Sequence, residues 1–132
     1  MSMLDHPQFL RRVLLADAAA SGATGLLMLL GTDALASMLA LPAGLLFYAG
    51  AALVPFAALV AWLGLRESPP RLAVWAIIAC NLLWAAESIL MLFGSIEPNR
   101  LGQVFVLGQA LVVALFAELE YFGLRRQGAL AA

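Results

Sequence analysis

Lysine is absent from this 132-residue chain, and its seven basic residues are all arginine. A retinal or pyridoxal Schiff base, which needs a lysine amine, is therefore excluded. Histidine occurs once, as His6, so one chain builds neither a bis-histidine haem nor a histidine-rich metal centre. Cys80 is the single cysteine. It permits no disulfide framework and no paired redox thiol within one chain, and its place in an apolar run reads as a small core hydrophobe. Charge of either sign is scarce at 11% of residues, against about a quarter in soluble domains. The net charge of −1 leaves no basic stripe for a nucleic-acid backbone. No serine, histidine and acid constellation lies within an apolar run, and no glycine-rich phosphate loop follows a strand. The expectation is a chain without cofactor or enzymatic activity.

What is present is hydrocarbon. Hydrophobic residues make up 64% of the chain and mean hydropathy is +0.99, so water is the wrong solvent for most of it. Four runs, 13–31, 42–65, 72–94 and 101–124, approach or exceed the ~20 residues with which an α-helix crosses a bilayer core. Barrel strands would alternate and be about half as long. The expected fold is an all-α, four-helix membrane bundle forming a single domain over residues 1–132, with no room for a soluble catalytic module. Ala34-Leu35-Ala36 imitates a signal-peptidase site, but the run 13–31 is longer than a signal core of roughly 7 to 15 residues and reads as a retained first span.

Between the runs, Thr32-Asp33 reads as the cap of a short amphipathic turn that Pro42 ends, Ser68 as N-cap before Pro69-Pro70, and Glu97-Pro98-Asn99 as the lead-in to the last span. Arg11, Arg12, Arg66, Arg71, Arg125 and Arg126 fall on one side of the four spans and only Arg100 on the other. The positive-inside rule then puts both termini in the cytoplasm, with Trp62, Trp75 and Tyr121, each four residues from an arginine, in the aromatic belt.

The two halves look related. Leu26-Leu27-Met28-Leu29-Leu30-Gly31-Thr32 reads like Ile89-Leu90-Met91-Leu92-Phe93-Gly94-Ser95, and Trp62-Leu63-Gly64-Leu65-Arg66 like Tyr121-Phe122-Gly123-Leu124-Arg125. A duplication of two spans gives parallel halves about an axis along the membrane normal. Leucine-rich helices that match by chance are the alternative.

Polar side chains inside the spans are the candidates for function, because an ionisable group at mid-bilayer costs roughly 2.5 to 3.5 kcal/mol even on the lenient scale. At ~1.5 Å per residue, Asp17 lies about 7 to 8 Å beyond Arg12, and Glu118 and Glu120 about 10 and 7 Å from Arg125. These three form an inner acidic group within reach of Arg11, Arg12, Arg125 and Arg126, and pairing with those arginines is the bland explanation. Glu118 and Glu120 project from nearly opposite helix faces, so only one can face the interior. Glu87, ~24 Å from Arg71, has no arginine of its own helix near and reads as the centre of a ligand or proton site. Gln109, Tyr48, Trp84 and Ser88 stand at or near its depth, and Asn81 shares a helix face with Ser88. Asp17, Ser21 and Thr24 make a second stripe at i, i+4, i+7, and together the stripes resemble a stepped route for protons or ions, or else interhelical hydrogen bonds. Ala18, Ser21, Gly22 and Gly25 let another backbone approach the first span, and Pro55 interrupts the second.

Through Phe9-Leu10-Arg11-Arg12-Val13-Leu14-Leu15-Ala16-Asp17, Pro55-Phe56-Ala57-Ala58-Leu59-Val60-Ala61-Trp62 and Ala117-Glu118-Leu119-Glu120-Tyr121-Phe122-Gly123-Leu124-Arg125-Arg126, the chain resembles a group of small four-span proteobacterial inner-membrane proteins with no assigned activity. The resemblance implies a location and no mechanism. The asparagine and phenylalanine signatures of dual-topology fluoride channels are missing, as is the first-helix glutamate of small multidrug exporters. The resulting expectation is a non-enzymatic inner-membrane protein, a homo-oligomer or a partner of another membrane protein, that binds a small or lipophilic ligand or passes protons. The rival expectation is a structural or assembly subunit.

Overall fold

The computed structural model describes residues 8–131, with side chains through Arg126; His6 lies outside the described residues. Among the described residues five helices follow one another: α1 (Phe9–Leu30), α2 (Thr32–Leu39), α3 (Ala43–Leu65), α4 (Arg71–Met91) and α5 (Arg100–Ala131). No strand occurs among the described residues. All but α2 are long and apolar enough to cross a membrane, because a helix satisfies its own backbone groups where no water can. The protein is a multi-pass, all-α membrane bundle.

The helix ends show which side chains set them. Thr32 turns back to close α1, its hydroxyl donating to the carbonyls of Met28 and Leu29, and so does not cap α2 as expected. Ala40 adopts the left-handed conformation, φ 54°, and lets the Leu41 N–H reach the Ala36 carbonyl at 3.2 Å before Pro42 precedes α3. Ser68 is not the N-cap of α4. A residue before proline is pushed out of the helical region, Pro70 itself is extended, and the helix starts only at Arg71 with no side-chain cap. Asn99 does cap α5: its Oδ1 accepts from Gly102 N–H at 2.8 Å, while its Nδ2 donates to the Met38 carbonyl and ties α2 to the same end of the bundle.

At the opposite end the arginines gather as expected, but on backbone. Arg11 donates to the carbonyls of Gly64 and Leu65, both at 3.2 Å, and Arg71 to that of Leu124 at 3.1 Å. The first two carbonyls belong to the C-terminal turn of α3, where orphan acceptors and the helix dipole favour a cation. Arg66 lies over the Trp62 ring at 4.8 Å, and Trp75 and Tyr121 meet edge-on at 5.7 Å.

Packing divides the bundle into two antiparallel hairpins, α1 with α3 and α4 with α5, joined along an α1–α5 seam. Consecutive helices α3 and α4 barely touch. Two hairpins match the expected halves, but a two-fold axis would make the α1–α5 and α3–α4 contacts equal, and they are not. An apolar core of Leu10, Leu14, Val60, Leu63, Val74 and Leu124 fills the arginine end; Met28, Leu39, Leu46, Leu53 and Val106 form a second core towards α2. Only 22–39% of the residues in each span's apolar window are buried within the chain, so the remaining surface, including Leu72 and Phe93 at 83% exposure, requires lipid or another apolar partner.

Candidate functional site

Among the described residues the interior of the bundle holds four buried polar side chains: Asp17 and Ser21 from α1, Asn81 from α4 and Glu120 from α5. They form one cluster. The Asn81 amide Nδ2 donates to Asp17 Oδ2 and to Glu120 Oε1, both at 2.9 Å, and the Ser21 hydroxyl donates to Asp17 Oδ1 at 3.0 Å. Each amide hydrogen thus serves a different carboxyl group, and the donors to both are neutral. Glu120 Oε2 is buried with no hydrogen-bond partner among the described residues. Since Glu120 is 0% exposed and Asp17 1%, water offers neither carboxyl a shell. Two acidic groups on one amide, in a dry interior, have a capacity to hold a positive charge between them.

The inner acidic group therefore splits. Glu120 turns inward and Glu118 is exposed, as opposite faces of one helix require. Pairing with arginine does not explain Asp17 or Glu120, whose partners are a hydroxyl and an amide, while Arg11 and Arg71 serve carbonyls.

Farther towards the α2 end, Trp84, Ser88 and Gln109 come together as their spacing predicts. Trp84 Nε1–H donates to Gln109 Oε1 at 2.8 Å, Gln109 Nε2 donates to the Val106 carbonyl at 2.9 Å, and Ser88 Oγ to the Trp84 carbonyl at 2.7 Å. Glu87 is exposed, not buried, because it projects from α4 to where α3 and α4 stand apart. It lines a cavity of about 220 Å³ shared with Trp84, Ser88 and Gln109, and a second of about 240 Å³ shared with Trp84, Asn81 and Ser21. Among the described residues no hydrogen bond reaches its carboxyl group.

No family model, curated protein or solved structure matches this chain. The geometry of these side chains is accordingly the whole basis for a functional reading.

Two further expectations change. Tyr48 is 74% exposed, stacked edge-on against Phe47 at 5.5 Å. Leu46, Gly50 and Leu53 form the buried stripe of α3, and a residue two places from Leu46 lies roughly 200° around the helix from it; Tyr48 belongs to no site with Glu87. Cys80 is exposed rather than in the core, on the wall of the second cavity. Asn81 belongs chiefly to the carboxyl pair, although it also lines the cavity that leads to Glu87. Polar groups thus follow one another from Glu120 and Asp17 through Asn81 and Ser21 to Glu87. Leu10, Leu14 and Leu63 fill the bundle on the arginine side.

Proposed function

We propose that this chain is a non-enzymatic bacterial inner-membrane protein that binds and passes protons, with the Asp17–Asn81–Glu120 cluster as the binding site and Glu87 as the relay towards the α2 end. The observation that carries the reading is Glu120 Oε2, a buried and unpartnered carboxyl oxygen beside a second acid with only neutral donors. Ionising both acids would place two like charges in a low-dielectric interior, each already costing roughly 2.5 to 3.5 kcal/mol to bury. A proton shared by the pair removes one of them. Cavities reach Asn81 and Ser21 from the α3–α4 side, while apolar side chains close the arginine side. The described conformation then leaves the cluster reachable from the α3–α4 crevice and closed on the arginine side.

Liposomes containing the protein and an internal pH dye test this. Under an imposed membrane potential, the parent should acidify the lumen faster than empty vesicles, Glu120→Gln should lose most of that flux, and Glu118→Gln should retain it. Equal rates for parent and Glu120→Gln would end the proposal.

A second reading, an assembly subunit in a homo-oligomer or with another membrane protein, rests on Glu118. An exposed acid on the last span, three residues before Tyr121, fits a surface that another protein covers. This reading expects a partner to cross-link through α5 in native membranes and no proton flux.

A further inference from the structure

The crevice between α3 and α4 adjoins the carboxyl pair, since Asn81 and Ser21 line its second cavity, but its own charged group is Glu87. Its two cavities, about 220 and 240 Å³, share Leu53, Trp84 and Glu87, so they adjoin through one set of side chains. Their walls are mostly apolar and aromatic, with a few neutral polar groups such as Ser88 and Asn81: Phe105 lines the first, Phe56 the second, and the Trp84 ring is held in place by its bond to Gln109. Among the described residues Glu87 is the sole charged side chain in either wall, with no arginine or histidine beside it. Because α3 and α4 barely touch, the crevice faces the hydrocarbon of the bilayer.

We infer that this crevice binds lipophilic monovalent cations, with Glu87 as counter-ion and Trp84 as the aromatic wall. A carboxylate without a partner in an apolar wall selects a cation, since a neutral ligand leaves its charge uncompensated and an anion is repelled. The apolar wall demands that the cation carry its own hydrocarbon, as an alkylated amine or arylphosphonium does. Aromatic faces add attraction to positive charge. A small hydrated metal ion fits poorly, because one carboxylate cannot replace its oxygen shell. Such a ligand partitions into the bilayer and reaches the crevice laterally.

Tetraphenylphosphonium is a suitable probe and tetraphenylborate, of the same shape and opposite charge, its control. In detergent micelles, Trp62→Phe/Trp75→Phe leaves Trp84 as the reporting fluorophore. Saturable quenching is expected with the phosphonium and none with the borate. Glu87→Gln should weaken phosphonium binding about thirty-fold or more, the lower end of the range for truncating one member of a desolvated charge pair, while Glu118→Gln leaves it unchanged. Cys80 supplies a second measurement without touching the tryptophans: saturating phosphonium should slow its reaction with a membrane-permeant maleimide several-fold. Equal quenching by both ions, or undiminished affinity in Glu87→Gln, overturns the inference. So does a maleimide rate that the phosphonium leaves unaltered. Phosphonium binding without proton flux would leave this site standing and remove the carboxyl-pair proposal instead.

Discussion

Asn81 offers two amide hydrogens and uses both on acids, which makes it the joint between α1, α4 and α5. Replacing it with leucine of similar size keeps the packing but strips Asp17 and Glu120 of their shared donor. Leaving buried acceptors unsatisfied costs about 1–3 kcal/mol per group, so Asn81→Leu should lower the unfolding free energy in mixed micelles by at least that much. Restoring an apolar match with Glu120→Leu on top of Asn81→Leu should return part of the loss, since removing both partners is nearly neutral where removing one is not. A double variant as unstable as the sum of its parts would show that the bonds to Asn81 do not couple the acids. The sequence contained a sign of this joint: Asp17 and Glu120 lie at similar depths counted from Arg12 and Arg125. Asn81 lies ten residues into its helix, at a different depth by count, and its spacing groups it with Ser88 rather than with the two acids. Side chains lean towards their own helix N-terminus, which tilts Asn81 towards the arginine end and Glu120 away from it. Rotation and lean of this kind bring the three together, and hydropathy does not record them.

The α1–α3 hairpin depends on two glycines, only one of which stood out by its surroundings. Gly25 lies in the small-residue patch of the first span, whereas its counterpart Gly50 sits among alanines that give it no distinguishing pattern. A Cβ at Gly50 would lie 2.8 Å from the Gly25 carbonyl oxygen and 3.0 Å from the Leu29 nitrogen, both backbone atoms that cannot step aside. Close helix contacts of this kind drive association where lipid offers no hydrophobic gain. Gly50→Ala should therefore destabilise the protein by about 1–3 kcal/mol, the usual penalty for overpacking. Gly108, with nothing within 4 Å of its would-be Cβ, supplies the matched control, and Gly108→Ala should be close to neutral. Reversible denaturation of both variants in the same micelles compares them, and equal stabilities would contradict a backbone-to-backbone seam. Span limits were more legible than these contacts: 42–65 was expected and α3 runs from Ala43 to Leu65. Long apolar runs determine where a helix crosses, whereas the partner of each face depends on shapes that only the assembled pair defines.

At the scale of the whole molecule, the arrangement is an asymmetric pair of hairpins with a charged end and a nearly uncharged one. Six arginines at one end resist translocation, because moving a guanidinium through hydrocarbon costs several kcal/mol while leaving it in the cytoplasm costs nothing. The α2 end carries Asp33, Glu97 and Arg100 and is free to cross. Four spans then return the chain to the side on which it began. Cysteine labelling in intact cells tests that orientation, because Cys80→Ser removes the only native thiol. On this background Ser37→Cys, exposed in α2, should react with a membrane-impermeant maleimide added to intact cells, and Ser68→Cys, exposed in the connection between α3 and α4, only after the cells are broken. The reverse pattern would mean that the arginine end faces outward. In that case the α2 end, towards which Glu87 extends the polar thread from Glu120, would face the cytoplasm, and the proposed relay would run between the carboxyl pair and the inside of the cell.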